Sequence, residues 1–263
     1  KLISMIEIEK PYTYETVAVT GMVESSSPDK KEKVSETEKV IIPSWCEDGM
    51  GEIEITLDPT QIGLMGSSVR YVFDYPYGCL EQQSSKMWPL ITFGDYIDTF
   101  GLKSKVDDPR KVVTSWFATV KKEQHGNGAF PYWPGSTYDN YYVSLRFLHM
   151  YKLAIDRGYT PKGTGYNEED LRRSIKYELS KMKELNNSYV AYACYVLSLY
   201  DDKAAETYLD SLYKYCNDSK ATVNLSTAAY TALAYQNMAD KDKTAKKRAK
   251  DLGDKIRSSI KQT

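Results

Sequence analysis

The run Tyr75-Pro76-Tyr77-Gly78-Cys79-Leu80-Glu81-Gln82 holds a nucleophile and an acyl group three positions apart. Side chains at i and i+3 of a helical turn are neighbours, so the Cys79 sulfur can reach the carboxamide carbon of Gln82. If the sulfur displaces ammonia, the product is an internal thioester, a strained acylating ring. Gly78 would permit the tight backbone that such a ring needs. A thioester in water hydrolyses or acylates whatever amine arrives, so it survives only under cover, and Tyr75, Tyr77, Trp88 and Trp133 are the aromatic side chains expected to supply it. On spacing alone the pattern is weak: a Cys-x-x-Gln quartet arises by chance, and an isolated cysteine is more often a small buried hydrophobe.

Little else in the chain matches a reactive constellation. The 4 cysteines (Cys46, Cys79, Cys194 and Cys216) are too few and too scattered for a disulfide framework, and Cys46, Cys194 and Cys216 read as structural. There is no CxxC or HExxH, and the 2 histidines, His125 and His149, stand far apart, so no metal site is expected. No phosphate-cradling glycine loop and no GxSxG elbow occurs, and no cofactor is implied. A cysteine-nucleophile transferase would want a histidine partner for Cys79 that the sequence does not identify.

Composition narrows the class further. With 263 residues, 4 Trp, 23 Tyr and 6 Phe there is ample material for a core, which excludes wholesale disorder. The 35 basic and 36 acidic side chains leave a net charge of −1 without an arginine-rich stripe, which argues against a nucleic-acid partner. No apolar run approaches the roughly 20 residues that span a bilayer. The chain opens Lys1-Leu2, with neither an initiator methionine nor a signal peptide, and so reads as a piece of a longer protein, open to truncation at its C-terminus.

The elements that must position Cys79 and Gln82 change character near residue 60. Before it the period is two. Glu52-Ile53-Glu54-Ile55-Thr56-Leu57 alternates as a half-buried strand, Thr16–Val19, Val40–Ile42 and Ile3–Ile8 are shorter candidates, and Glu24 to Glu38 reads as a solvated loop. Residues 1–60 are thus expected to form a small, incomplete β-module. From 61 to 263 the periods are helical, with helices predicted at 82–98, 109–122, 138–157, 167–184, 188–200, 202–215, 222–238 and 241–261. Segments 188–200 and 222–238 are apolar nearly all round, whereas 241–261 carries only the stripe Ala245, Ala249, Leu252, Ile256 and Ile260. Buried helices alternating with amphipathic ones predict a mainly α fold of two-layer helical hairpins, an α/α toroid, with the β-module in front of it.

Gly126-Asn127-Gly128-Ala129-Phe130-Pro131-Tyr132-Trp133-Pro134-Gly135 cannot be helical, and its aromatics need something to pack on. It is either a loop pinned onto a helix end or a wall over a reactive site. His125 in this loop is expected to be exposed, and His149, in a helix beside Leu145, Leu148 and Tyr151, to be a satisfied structural histidine. Neither is assigned a catalytic role. Helical toroids also carry glycosidases and cyclases that work through cavity acids, but Asp201-Asp202 and Glu168-Glu169-Asp170 fall at predicted helix starts, where carboxylates cap free N–H groups.

The motif at 75–82 resembles that of the bacterial α2-macroglobulins, relatives of the animal macroglobulin and complement proteins. Their animal members usually carry Gly-Cys-Gly-Glu-Gln, and Leu80 in place of the middle glycine resembles the bacterial form. The strand candidate at 52–57 followed by Asp58-Pro59, and Gly128–Gly135 followed by a helix ending Arg157-Gly158-Tyr159, resemble the flanks of that motif, so the likeness spans about residues 50–160. It implies a thioester between Cys79 and Gln82 in a single-use covalent protease trap, an endopeptidase inhibitor rather than an enzyme. Cleavage of a bait segment elsewhere in the larger protein would expose the bond. A lysine amine of the protease would then attack the Gln82 acyl carbon, Cys79 would leave as a thiol, and Glu81 would support the turn. Implied partners are target proteases and the remaining macroglobulin domains, with no nucleic acid and no membrane contact by this piece. The implied compartment is the periplasm or cell envelope, with the larger protein anchored through an N-terminus absent here. A helical module that has lost its thioester and serves only binding or structure is the alternative, and a toroid glycosidase or cyclase a more distant one.

Overall fold

Helix starts in this chain are set by short polar side chains. Asp108 accepts from the N–H groups of Arg110 and Lys111 ahead of Pro109, Asn140 accepts from Val143, and Asn224 accepts from Ser226. Each satisfies donors that a first helical turn leaves unpaired. The computed structural model describes residues 15–23, 35–46, 49, 51–55, 57, 65–159, 167–181, 187–218 and 220–259. The chain divides into two compact units, Lys1–Thr56 and Leu57–Thr263.

Among the described residues the second unit carries α1 (Gly66–Asp74), α2 (Leu80–Phe93), α3 (Pro109–Val120), α4 (Tyr141–Asp156), α5 (Glu168–Lys181), α6 (Asn187–Ser198), α7 (Glu206–Asn217), α8 (Leu225–Met238) and α9 (Lys243–Ser259). The predicted helices are present with their ends shifted by a few residues in either direction. α2 holds Pro89, which has no N–H to give the helix, and it stops at Phe93 rather than 98 before a 3-10 turn at Gly94–Tyr96. α4 ends in a Schellman turn: Gly158, at φ +73°, donates to Ile155 and Tyr159 donates to Ala154. α1 is an addition to the predicted set, and no side chain caps its start to announce it.

The packing is two-layered. α2 lies against α4, α4 against α6 and α6 against α8, while α3, α5, α7 and α9 pack on the outside of that row. α6 buries Val190–Cys194 and Val196–Ser198, covering most of its circumference, whereas α9 buries only Ala245, Ala249 and Leu252. Their sequences differ in the same sense, since an all-round apolar helix must be covered on all sides and a striped one on a single side. Phe117, Phe130 and Phe147 are fully buried, with Phe130 and Phe147 rings 4.7 Å apart, so the glycine-rich loop is plugged into the core between α3 and α4.

The first unit departs from the expectation. No strand forms among its described residues, which include Thr16–Val19, Val40–Ile42 and 52–55. Ile53 and Ile55 are exposed by 65% and 81%. Alternation assigns faces to a strand but supplies no ladder partner, and without a partner neither face is buried. The candidate at Ile3–Ile8 lies outside the described residues, as do Ile260 and most of the predicted loop at Glu24–Glu38.

Candidate functional site

Cys79 is the residue immediately before the first turn of α2, and it is fully buried. Its backbone is extended, so the chain arrives straight and turns into helix at Leu80. That start lacks a side-chain cap. The glycine-rich loop supplies the missing acceptor, since the Leu80 N–H donates to the Tyr132 carbonyl at 2.9 Å. The loop is therefore pinned onto the helix end that carries the motif. It is braced by a bridge between Pro131 and Asp139, by Asn140 N–H donating to Phe130 at 2.7 Å, and by Gly128, whose positive φ brings it against the Asp170 backbone.

The two adjacent glutamines are used differently. Gln83 donates from Nε2 to the Gly78 carbonyl at 2.7 Å and accepts from Trp116 Nε1 at 3.2 Å, so its carboxamide ties the turn to α3. Gln82, one turn from Cys79, has a buried Oε1 with no hydrogen-bond partner. An unsatisfied buried carbonyl costs about 1–3 kcal/mol, so it calls for an explanation. Gly78 lies outside the left-handed region and a Cβ there would meet open space. Nothing in this conformation therefore requires glycine at 78.

Glu81 is held from two sides, accepting from Ser85 Oγ at 3.0 Å and lying 3.7 Å from the Arg146 guanidinium on α4. Arg146 also donates to Ser85 Oγ at 3.1 Å and sits over the rings of Trp88 and Tyr142. Glu81 favours the α2 dipole as well, being in the first turn.

Of the four aromatic residues expected over the sulfur, two lie in one cluster at the start of the motif. Tyr75 and Tyr77 rings are 5.3 Å apart, with Tyr71 5.7 Å beyond Tyr75. Trp133 is 54% exposed and packs edge-on against Tyr132 at 5.8 Å. Trp88 is placed elsewhere, about two and a half turns along α2 from Cys79. There it packs edge-on against His149 at 4.8 Å, and its buried indole N–H has no partner. The aromatic residue tied to this helix start is Tyr132, through its backbone carbonyl on the Leu80 N–H. The neighbouring Cys79 side chain first, then burial and the Glu81 and Tyr75 side chains, raise its phenol above the ordinary tyrosine range. In the sequence Tyr132 stands out only as an aromatic needing a surface. The clue there is its place between two prolines, where the chain cannot continue a helix or a ladder.

The histidines are structural in their contacts. His125 is half-buried rather than exposed, because Nδ1 lies 2.6 Å from Asp139 and Nε2 lies 2.9 Å from the Ser136 carbonyl. His149 Nδ1 is 3.0 Å from the Tyr192 hydroxyl, and burial together with Arg146 holds its pKa down to about 4, so it is neutral at neutral pH. The acidic clusters sit at helix starts. Asp202 caps Ala204 and pairs with Lys176 and Arg172; burial alone would raise its carboxyl, but those donors hold it below the usual range. Cys194 and Cys216 are buried, and burial pushes the Cys194 thiol up to about 12. Cys46 is exposed, contrary to its structural reading, since the described residues around it are exposed apart from a half-buried Pro43. Among the described residues no group of three or more His, Cys, Asp or Glu side chains could hold a metal ion.

No family model matches the chain. Alpha-2-macroglobulin of Escherichia coli (strain K12) is 30% identical to it over 105 residues, 39% of this chain and 6% of that protein. Alpha-2-macroglobulin of Rickettsia conorii is 22% identical over 195 residues, 70% of this chain and 10% of that protein. The cryo-EM structure of the native conformation of E. coli alpha-2-macroglobulin shares the fold, with a TM-score of 0.55 and 18% identity over 74% of this chain and 12% of that one. The chain thus spans about a tenth or less of the curated relatives it matches. On the sequence likeness and the shared helical fold together, this chain is related to the bacterial alpha-2-macroglobulins.

Proposed function

We propose that Cys79 and Gln82 form an internal thioester, and that this chain is the acylating part of a bacterial alpha-2-macroglobulin that traps proteases covalently. The observation that carries the reading is the pairing of a fully buried cysteine at the start of α2 with a Gln82 carbonyl, one turn on, that is buried and unpartnered. A primary amide suffers in such a place because it loses water and gains no donor. A thioester carbonyl is a weaker acceptor and loses less, so the surroundings suit the acyl thioester better than the free glutamine.

In the reaction, an amine nitrogen attacks the Gln82 acyl carbon and the C–S bond breaks. The electron pair goes to sulfur, the amine's proton ends on the Cys79 thiol, and an amide remains. Each molecule reacts once, so the chain is an inhibitor rather than a turnover enzyme. Residues 61–263 are assigned as the helical thioester domain, its two layers belonging to an α/α toroid, and residues 1–60 as part of the region that precedes it in the chain. Tyr75, Tyr77 and Trp133 cover the approach, and Trp88 stiffens α2 from the far side. Bait cleavage and the rearrangement that opens the site belong to the rest of the larger protein, in the periplasm or cell envelope.

Incubation with a fluorescent primary amine, followed by digestion and peptide mapping, tests the assignment. Label is expected on Gln82 in the parent chain and absent from Cys79→Ser, with both giving the same helical circular dichroism. Label on Gln82 in Cys79→Ser would rule the thioester out.

A further inference from the structure

We propose that Gln83 is the positioning residue that sets Cys79 for closure of the thioester onto Gln82. The inference rests on the thioester reading above. The ring would run from Cys79 to Gln82, with Gly78 as its flank on one side and Gln83 on the other. Gln83 joins the two flanks, its Nε2 donating to the Gly78 carbonyl at 2.7 Å. Its backbone N–H donates to the Cys79 carbonyl at 3.0 Å, and the Leu80 N–H is taken by the Tyr132 carbonyl at 2.9 Å. The peptide planes before and after Cys79 are thus both fixed from outside, and with them its φ of −63° and ψ of 156°. With both torsions held, the Cα–Cβ bond has one direction, and the sulfur is left only rotation about it.

The clamp has a rigid base. Gln83 Oε1 accepts from Trp116 Nε1 on α3 at 3.2 Å, and the Trp116 ring packs edge-on against Phe117 at 5.1 Å and Phe147 at 5.0 Å. A backbone carbonyl only accepts and an indole N–H only donates, so these partners leave the Gln83 carboxamide a single orientation. A Cβ at position 78 would meet open space, so the turn uses the Gly78 carbonyl rather than the missing side chain. The same bonds distinguish the two adjacent glutamines. The Gln83 carboxamide is held at both ends, whereas Gln82 Oε1 is buried without a partner. In closure the Cys79 sulfur adds to the Gln82 carboxamide carbon, the C–N bond breaks, and the nitrogen leaves as ammonia with the thiol proton. The sum is thiol plus amide giving thioester plus ammonia. Gln83 exchanges nothing in this step; it holds the sulfur where it can meet the carbon, and a misplacement of about 1 Å there costs about a hundredfold in rate.

Gln83→Glu keeps the side-chain length and the acceptor for Trp116, and at neutral pH removes only the donor to Gly78. Gln83→Met has a similar length, carries no charge and neither donates nor accepts. Chains made in a short pulse of cell-free synthesis are sampled by intact mass, and the appearance of the one-ammonia deficit gives the rate of closure. Urea unfolding is measured beside it, because a merely structural role lowers the midpoint and leaves the rate at which folded chains close unchanged. We expect closure about a hundredfold slower in both variants than in the parent. Slowing of less than about tenfold in folded Gln83→Met would overturn the inference and leave the thioester standing, whatever Gln83→Glu does. Should Gln83→Met fail to fold, Gln83→Glu is read by the same limit. A parent chain that never acquires the ammonia deficit would overturn both readings.

Discussion

Arg146 on α4 lies 3.7 Å from Glu81 on α2 and, through Ser85 and the Trp88 ring, grips the helix that begins at Cys79. The pair is largely sheltered, so the guanidinium cannot be replaced by water without rearrangement. We predict that Arg146→Met destabilises the chain by about 2 kcal/mol, as expected for losing hydrogen bonds to a charged group. Urea unfolding checks this, and a change within about 0.5 kcal/mol would show that the grip adds nothing to stability.

His149 gives the chain a pH dependence of definite sign. Its folded pKa is depressed to about 4 from 6.5, so the unfolded chain binds a proton at pH values where the folded chain does not. Its contribution is complete above pH 6.5 and is lost as pH falls toward about 4, up to about 3 kcal/mol in all. Unfolding free energies of the parent and of His149→Gln between pH 7 and 4 isolate it from the carboxylates. The difference between the two should shrink as pH falls, and a constant difference would contradict the assignment.

Asn140 joins the loop to α4, its side chain accepting from Val143 while its backbone N–H holds Phe130. Asn140→Ala should cost about 1 kcal/mol, the usual worth of such a cap. Asn140→Asp should retain most of it. Equal stability of the alanine variant and the parent would show that the backbone bond alone anchors the loop.

What can be read from the sequence depends on whether the signal is local. The contrast between α6 and α9 is legible because the apolar arc of a helix reports directly how much of it is covered. The Cys79–Gln82 spacing is legible for the same reason. The strand expected at 52–57 does not form among its described residues, since a strand exists only with a partner that periodicity cannot name. Tyr132 at the start of α2 is likewise hidden: it is brought there by a bond from Leu80 to a loop some fifty positions later. The engagement of His125 depends on Asp139 folding back across the same loop, which no local pattern around the histidine announces.

The central claim is best tested by intact mass on freshly purified chain, with and without methylamine, beside a thiol titration. With four cysteines and no disulfide among them, the account predicts a mass lighter than the sequence by one ammonia and three titratable thiols, rising to four after methylamine. A mass heavier by about one unit, Gln82 converted to Glu, would record a thioester formed and then lost to water. The full sequence mass with four free thiols from the start would contradict the account.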